Sequence, residues 1–257
     1  MATDRDSYYR LLDAYRRRDN YDSVFRSTLD DLAGKVDFSW IRSCVALGPG
    51  SGEHEIEFAR RLLPNLRQFI AVEPDHESVK ALATNFQNAQ LPGVETTIAE
   101  MLVQDWNGVE NPVDAMLCFN AIYHVESTAR QRLLQLLSAQ YLNPDGIIIL
   151  IENASPLTAA YIRLMHRLGY PQDNWYADIE KEVLACGFRL DFMHDIVSTR
   201  DLSEPSEDVL KYIELLFDSA ISIEQIRAYI AEIYGDPAPG VKNIVRKFSV
   251  FKNDSRK

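Results

Sequence analysis

Cysteine is scarce in this sequence. Cys44, Cys118 and Cys186 stand far apart, form no CxxC spacing, and so provide no disulfide framework. Cys44 and Cys118 lie inside apolar runs that read as buried strands, which makes them reduced core thiols. Basic residues are also short: 27 Lys and Arg against 38 Asp and Glu give a formal net charge of -11. Such a surface repels phosphates, and nucleic acid is not expected as a partner. No apolar run approaches the roughly 20 residues that cross a bilayer. The opening MATDRDSYY is polar and charged where a signal peptide would be apolar, so a cytoplasmic protein with no membrane partner is expected. Repeats and low-complexity tracts are absent as well.

What is present is alternation. At 257 residues a single domain spanning 1–257, with embellishments, is the economical reading. Strands are expected at 44–47, 68–72, 94–98, 113–119, 147–151, 188–197 and 244–251. Helices are expected at 53–63, 77–86, 129–141 and 176–186, with a long helical region over 207–234. Strand and helix in turn imply an α/β fold, a Rossmann-like seven-stranded, mostly parallel sheet with helices on both faces. Two segments fall outside the rhythm. Residues 1–38 carry Tyr8, Leu11, Leu12, Tyr15, Tyr21, Phe25 and Leu29 at helical spacing, broken near Asp19 and Asn20, and read as an N-terminal helical cover. Residues 153–175, after the fifth strand, read as a helical insertion on the substrate side.

The first βα turn carries the chemistry. Val45-Ala46-Leu47 runs into Gly48-Pro49-Gly50-Ser51-Gly52 and then into a helix at Glu53. Glycines at 48, 50 and 52 let the backbone turn sharply and let a ligand lie against it. The dinucleotide fingerprint GxGxxG would need glycine where Glu53 stands, and a carboxylate at that helix start repels a pyrophosphate. S-adenosyl-L-methionine (SAM) has no phosphate and carries a sulfonium cation, so the acidic turn suits it better than NAD or FAD. Glu73, at the tip of Phe69-Ile70-Ala71-Val72, follows about 20 residues on, where an acid can accept hydrogen bonds from both ribose hydroxyls. Ligands of open α/β sheets lie at the carboxyl ends of the strands. The end of the fourth strand, Phe119-Asn120-Ala121-Ile122-Tyr123-His124, should therefore border the reacting methyl group. Phe119 could cover the cofactor while Asn120, Tyr123 and His124 face the acceptor.

Taken together, LGPGSGEHEIEF (47–58), VEPDHESV (72–79), FNAIYHVES (119–127) and VSTRDLSE (197–204) resemble the histamine N-methyltransferase family of class I SAM-dependent methyltransferases. The resemblance runs faintly along nearly the whole chain. It implies cofactor contacts at Gly48, Glu73, Ser78, the neighbourhood of Val103, and Phe119. It further implies acceptor contacts at Asp22 or Tyr21, at Asn120, within 161–175, and at Arg246. Several positions depart from the family. Its paired tyrosines become Tyr123-His124, its amide is shortened to Asn120, and its last-strand asparagine is replaced by Arg246. An arginine there adds a carboxylate or phosphate site and disfavours a cationic amine, so the acceptor expected is histamine-like or amino-acid-like.

Methyl transfer from a sulfonium is an in-line displacement for which the protein chiefly supplies orientation and a dry pocket. The expectation is an enzyme that methylates a nitrogen of a small-molecule amine or imidazole, with His124 as general base and Asp22 orienting the acceptor. A small natural-product O-methyltransferase and a SAM-binding regulator without turnover remain as alternatives. A monomer is expected, with the N-terminal helices and the insertion closing over the site.

Overall fold

A computed structural model describes residues 5–153, 179–216, 222–233, 237–238 and 240–254. In chain order the elements are α1 (Arg5–Arg16), α2 (Tyr21–Ala33), β1 (Ser43–Leu47), α3 (Glu53–Leu62), β2 (Gln68–Val72), α4 (His76–Ala89), β3 (Glu95–Ala99), β4 (Val113–Phe119), α5 (Ser127–Leu136), β5 (Leu142–Asn153), α6 (Ile179–Ala185), β6 (Phe188–Asp201), α7 (Glu207–Leu216), α8 (Ile223–Ile233), β7 (Pro237–Ala238) and β8 (Val241–Asn253). Short 3-10 turns lie at Val103–Asp105 and Ile122–His124.

The strands form one sheet in the order β3-β2-β1-β4-β5-β8-β6, with the two-residue β7 beside β8. Strands β1 to β5 pair in parallel, and β8 runs antiparallel to β5. The expected seven-stranded Rossmann-like sheet is thus present, with β7 added. The chain winds outward from β1 through β2 to β3 and then resumes at β4 on the other side of β1. This reversal opens a crevice at the carboxyl ends of β1 and β4.

Burial explains the composition of each strand. Cys44 to Leu47 and Ala115 to Cys118 are buried, as are Ile147 to Ile151, because helices cover both faces of the central strands. The edge strand β3 reads Glu-Thr-Thr-Ile-Ala and is exposed over its first three residues, as suits a strand paired on one side only. At the amino end of the sheet Asp114 clips three strands together. Its Oδ2 accepts from the N–H of Arg42 at 2.8 Å and of Ser43 at 3.0 Å, and its Oδ1 accepts from Asn143 Nδ2 at 2.7 Å.

By their contacts the residues fall into two compact units. The first comprises Met1–Val24, Ala154–Pro171 and Val197–Val245. Here the linker between α1 and α2 is tied to the end of β6. The Asn20 N–H donates to the Thr199 carbonyl at 3.1 Å and the Thr199 N–H donates to Asn20 Oδ1 at 2.7 Å. Arg200 bonds the Tyr15 hydroxyl at 2.6 Å and Asp19 at 2.8 Å, with its guanidinium 4.3 Å from the Tyr15 ring centre.

The second unit comprises Phe25–Asn153, Gln172–Ile196 and Arg246–Lys257. One face of its sheet carries a chain of phenylalanines: Phe58 lies 5.4 Å from Phe38, 5.6 Å from Phe119 and 6.1 Å from Phe248, and Phe25 lies 6.1 Å from Phe119. The other face holds an apolar core that includes Met116, Leu134, Ile148 and Phe251.

Some boundaries differ from expectation. Strand β5 starts at Leu142 instead of Ile147, because Leu142 pairs with Val113 ahead of a register shift. The helix expected over 129–141 starts at Ser127, capped by the Glu126 side chain, and its last turn widens to a π-turn over Leu137–Tyr141. The long helical region over 207–234 contains two helices, α7 and α8. From residue 154 onward the expected insertion lies outside the described residues.

Candidate functional site

The crevice at the carboxyl ends of β1, β2 and β4 is built largely from main chain. Gly48, Gly50 and Gly52 have φ of 62°, 58° and 73°, a left-handed region that side chains rarely adopt. A Cβ at Gly52 would lie 2.1 Å from Leu82 Cδ1, so this glycine lets α3 and α4 pack. Gly50 is different: a Cβ there would meet nothing within 4 Å, so the turn presents bare backbone to open space. Glu73 stands beside it, buried, at the tip of β2. The Gly50 N–H donates to Glu73 Oε2 at 2.8 Å, and the Asp75 N–H donates to Glu73 Oε1 at 3.0 Å. Glycine turn and acid are therefore one hydrogen-bonded unit, and the carboxylate is held in a single orientation.

The next helix is fixed to the same unit. Asp75 caps α4, its Oδ2 accepting from the Ser78 N–H at 2.8 Å. The amide of Ser78 is thus committed to the cap. After β3 the chain presents Glu100, which meets His76 Nδ1 at 3.0 Å, and then Met101 and Leu102, which are 38% and 46% exposed. Val103 turns inward and joins the core beside Trp106 and Tyr141. The apolar surface near the position expected for Val103 therefore belongs to its two predecessors. Sequence reasoning missed Asp75, Glu100, Met101 and Leu102. Applying the strand-end rule to β3, as it was to β2, finds the last three.

At β4 the Phe119 ring is committed to the phenylalanine chain, which leaves its main chain toward the crevice. Asn120 follows with φ 56°, its N–H donating to the Ile151 carbonyl at 2.7 Å. Its Oδ1 is buried and has no hydrogen-bond partner among the described residues. Asparagine tolerates left-handed backbone better than most residues, at a cost of about 1 kcal/mol. An orphaned amide oxygen on such a backbone marks a position held for something else. Tyr123 and His124 sit in the 3-10 turn that follows; nothing is described of the Tyr123 side chain. His124 keeps part of its surface in solvent, and desolvation of the remainder lowers its pKa below the ordinary histidine value. It is therefore neutral at pH 7.

This turn is anchored from beneath. Arg130 is fully buried; its Nη1 donates to the Val125 carbonyl at 2.6 Å, and its Nε and Nη2 grip Glu182 of α6 at 2.6 and 2.8 Å. Arg246 lies on β8 opposite Asn153, buried on the face that carries Phe248. Tyr21 and Asp22 open α2 in the first unit, Tyr21 buried and Asp22 exposed. The second unit thus gathers Gly48, Gly50, Gly52, Glu73, Ser78, Phe119, Asn120 and His124 at the carboxyl end of one sheet, and contains Arg246 as well.

SAM fits what the crevice offers. The open backbone at Gly50 admits a ligand in contact with the turn, and the fixed Glu73 carboxylate supplies acceptors for ribose hydroxyls. No phosphate needs to be placed against Glu53. Among the described residues no helix is long and apolar enough to cross a membrane.

Comparison with known proteins agrees. Residues 45–146 match the family model described as a methyltransferase domain. No curated protein matches the chain. Solved structures similar to it include a protein assigned as a methyltransferase from Bacillus halodurans, at 12% identity and TM-score 0.61, covering 90% of this chain and 99% of that one. The YcgJ protein from Bacillus subtilis has 11% identity and TM-score 0.58 over 90% and 99% of the two chains. The [4+2]-cyclase SpnF has 14% identity and TM-score 0.53 over 89% and 81%. The matched segment spans the glycine turn, Glu73 and the end of β4, and the sheet carries the fold of these structures: residues 45–146 are a methyltransferase domain, and its cofactor is SAM.

Proposed function

We propose that the protein transfers the methyl group of SAM to a nitrogen of a small amine or imidazole. The observation that carries this reading is the buried, unpartnered Oδ1 of Asn120 at the end of β4. An amide oxygen accepts a hydrogen bond and cannot donate one, so its complement is a donor on the acceptor molecule. An attacking amine keeps an N–H for that oxygen while its lone pair points at the methyl group, and an imidazole offers the N–H of its second nitrogen. A phenol has one proton, which must leave before its oxygen attacks, and Asn120 Oδ1 would then face an anion.

SAM supplies a methyl carbon already activated on a sulfonium. The acceptor lone pair forms the new C–N bond as the C–S bond breaks, and that electron pair stays on sulfur as S-adenosylhomocysteine (SAH). The chain's own part is to bind, orient and dehydrate. Glu73 and the glycine turn hold one reactant, and Asn120 orients the other. His124, neutral at pH 7, takes the proton that the nitrogen sheds. The Arg130–Glu182 pair keeps the turn bearing His124 in place through the Val125 carbonyl.

Fold alone does not choose this chemistry, since a cyclase shares it. The test is methyl transfer to paired acceptors that differ only in amine or hydroxyl, with Asn120→Leu as the control variant. The parent should favour the amine by about tenfold or more, and the variant should lose that preference. A parent that favours the hydroxyl refutes the reading, and SAM binding with no turnover on any acceptor points to a regulatory protein instead.

A further inference from the structure

Asn120 combines two costs: a left-handed backbone at φ 56° and a buried Oδ1 with no hydrogen-bond partner among the described residues. Such a conformation persists only where the chain on both sides of it is held. On the far side the holding contacts are close packing and main-chain hydrogen bonds. A Cβ on Gly48 would lie 2.9 Å from Ala121 Cβ, so the loop rests directly on the glycine turn. The His124 N–H donates to the Ala121 carbonyl at 2.9 Å, and Arg130 Nη1 donates to the Val125 carbonyl. Asn120 itself is tied through its N–H to the Ile151 carbonyl.

On the near side the chain is held at Phe119, and Phe119 is held by rings. Buried itself, it meets two others edge to face: Phe58 of α3 at 5.6 Å with an interplanar angle of 77°, and Phe25 of α2 at 6.1 Å and 64°. The two walls differ in reach. Phe58 also packs against Phe38 and Phe248, so its loss would spread through the whole face. Phe25 is more local. Its ring stands at 86° to that of His54, 4.9 Å away, and so joins the first turn of α3 to the residue before Asn120.

We propose that Phe25 is a positioning residue for the acceptor site: through Phe119 it holds Asn120 in the left-handed conformation that keeps the amide oxygen turned to the acceptor. Without the Phe25 wall the Phe119 ring gains room to turn, and the strained residue that follows relaxes toward the right-handed or extended regions. Oδ1 then leaves the position where an acceptor N–H meets it. Helix α2 thereby serves the reaction without touching the acceptor. The cofactor half is left alone, because the Gly50–Glu73 hydrogen bond lies outside these ring contacts. This inference rests on the reading of Asn120 as an acceptor contact.

The experiment is a double-substitution cycle on the full chain, Phe25→Leu with Asn120→Gly, read on whichever of the paired amine and hydroxyl acceptors the parent methylates. Phe25→Leu should lower turnover by about fivefold and weaken the preference within a pair, with SAH affinity within about threefold of the parent. In Asn120→Gly, which has no amide oxygen left to position, adding Phe25→Leu should change turnover by no more than about twofold. NMR gives a readout that needs no turnover. The Asn120 Cα shift and HN–Hα coupling should report a left-handed residue in the parent and a relaxed or averaged one in Phe25→Leu. Phe25→Met, which keeps more of the side-chain length, should show the same pattern more weakly and serves if the leucine variant does not fold. Losses that multiply in the cycle, an Asn120 backbone unchanged by loss of the ring, or SAH affinity that falls in step with turnover overturns the proposal. A parent that favours the hydroxyl while the cycle stays non-additive keeps the positioning role and refutes transfer to nitrogen.

Discussion

The two halves of the crevice are made of different material. The cofactor half is main chain: a left-handed glycine turn whose N–H bonds Glu73, an acid whose other oxygen bonds the Asp75 N–H, and a helix capped by Asp75. Every polar group named there has a partner within the half itself. On the proposed acceptor side the groups are side chains, namely the amide of Asn120, whose buried Oδ1 has no hydrogen-bond partner among the described residues, and a partly desolvated His124. Main-chain geometry forms with the fold and serves one ligand; in the proposed function the Asn120 amide oxygen receives a second. The halves should therefore respond separately to substitution.

The largest effect is expected at the glycine turn. Gly50→Ala places a Cβ in open space at φ 58°, so the protein should still fold, at a cost of about 1–2 kcal/mol in denaturant unfolding. Calorimetry should show SAM affinity down on the order of 100-fold, about 2.7 kcal/mol, because the methyl group occupies the ligand's contact surface. Undiminished binding would show that SAM does not lie against this turn.

Glu73→Ala comes next. It removes the hydroxyl acceptors and unpins the Gly50 and Asp75 amides, and should cost about 1.5 to 3 kcal/mol of SAM binding.

Asn120→Gly breaks the acceptor half alone. It relieves the positive φ and removes the orphaned oxygen, so unfolding should show equal or slightly greater stability, by about 0.5–1 kcal/mol. Turnover should fall by about tenfold with SAM affinity unchanged. Lower stability together with full activity would place Asn120 outside the site.

The smallest effect is on pH. Because burial lowers the His124 pKa, the neutral base persists below pH 6.5, and the acid limb of kcat/KM should lie below the ordinary histidine value. The unfolded chain holds a proton on this histidine that the folded chain does not, so stability rises with pH between the folded and the unfolded pKa. His124→Gln should abolish that limb and flatten this part of the stability profile. An NMR titration of the His124 ring checks the direction independently, and a pKa above 6.5 would contradict it.

The same contrast explains what could be read from the sequence. The glycine turn and Glu73 are local patterns in strand and helix context, and the alternation of elements is a pattern of period alone; both were legible. The depth of Arg246 was not, because Val245 to Phe251 alternates whichever face is covered, and only the pairing of β8 with β5 and the Phe58–Phe248 contact decide it. Glu55 gave no signal at all, since acids crowd the first turn of α3 and only the fold buries one of them. The run Val197–Glu204 stood out in sequence, and within it Thr199, Arg200 and Asp201 spend their polar groups fixing the segment around Tyr15 to Asn20. In α2, Phe25, Leu29 and Leu32 are core residues of the second unit, which the sequence did not show because helical amphipathicity does not say which surface a helix meets.

The separation of the two halves is tested most directly by SAH titration calorimetry on the parent, Glu73→Ala, Asn120→Gly and His124→Gln under one set of conditions, with NAD as a control ligand. The account predicts SAH binding to the parent, no NAD binding, a loss of about tenfold or more in Glu73→Ala, and affinities within about threefold of the parent in the other two variants. Loss of SAH binding in Asn120→Gly or His124→Gln, or its retention in Glu73→Ala, would contradict it.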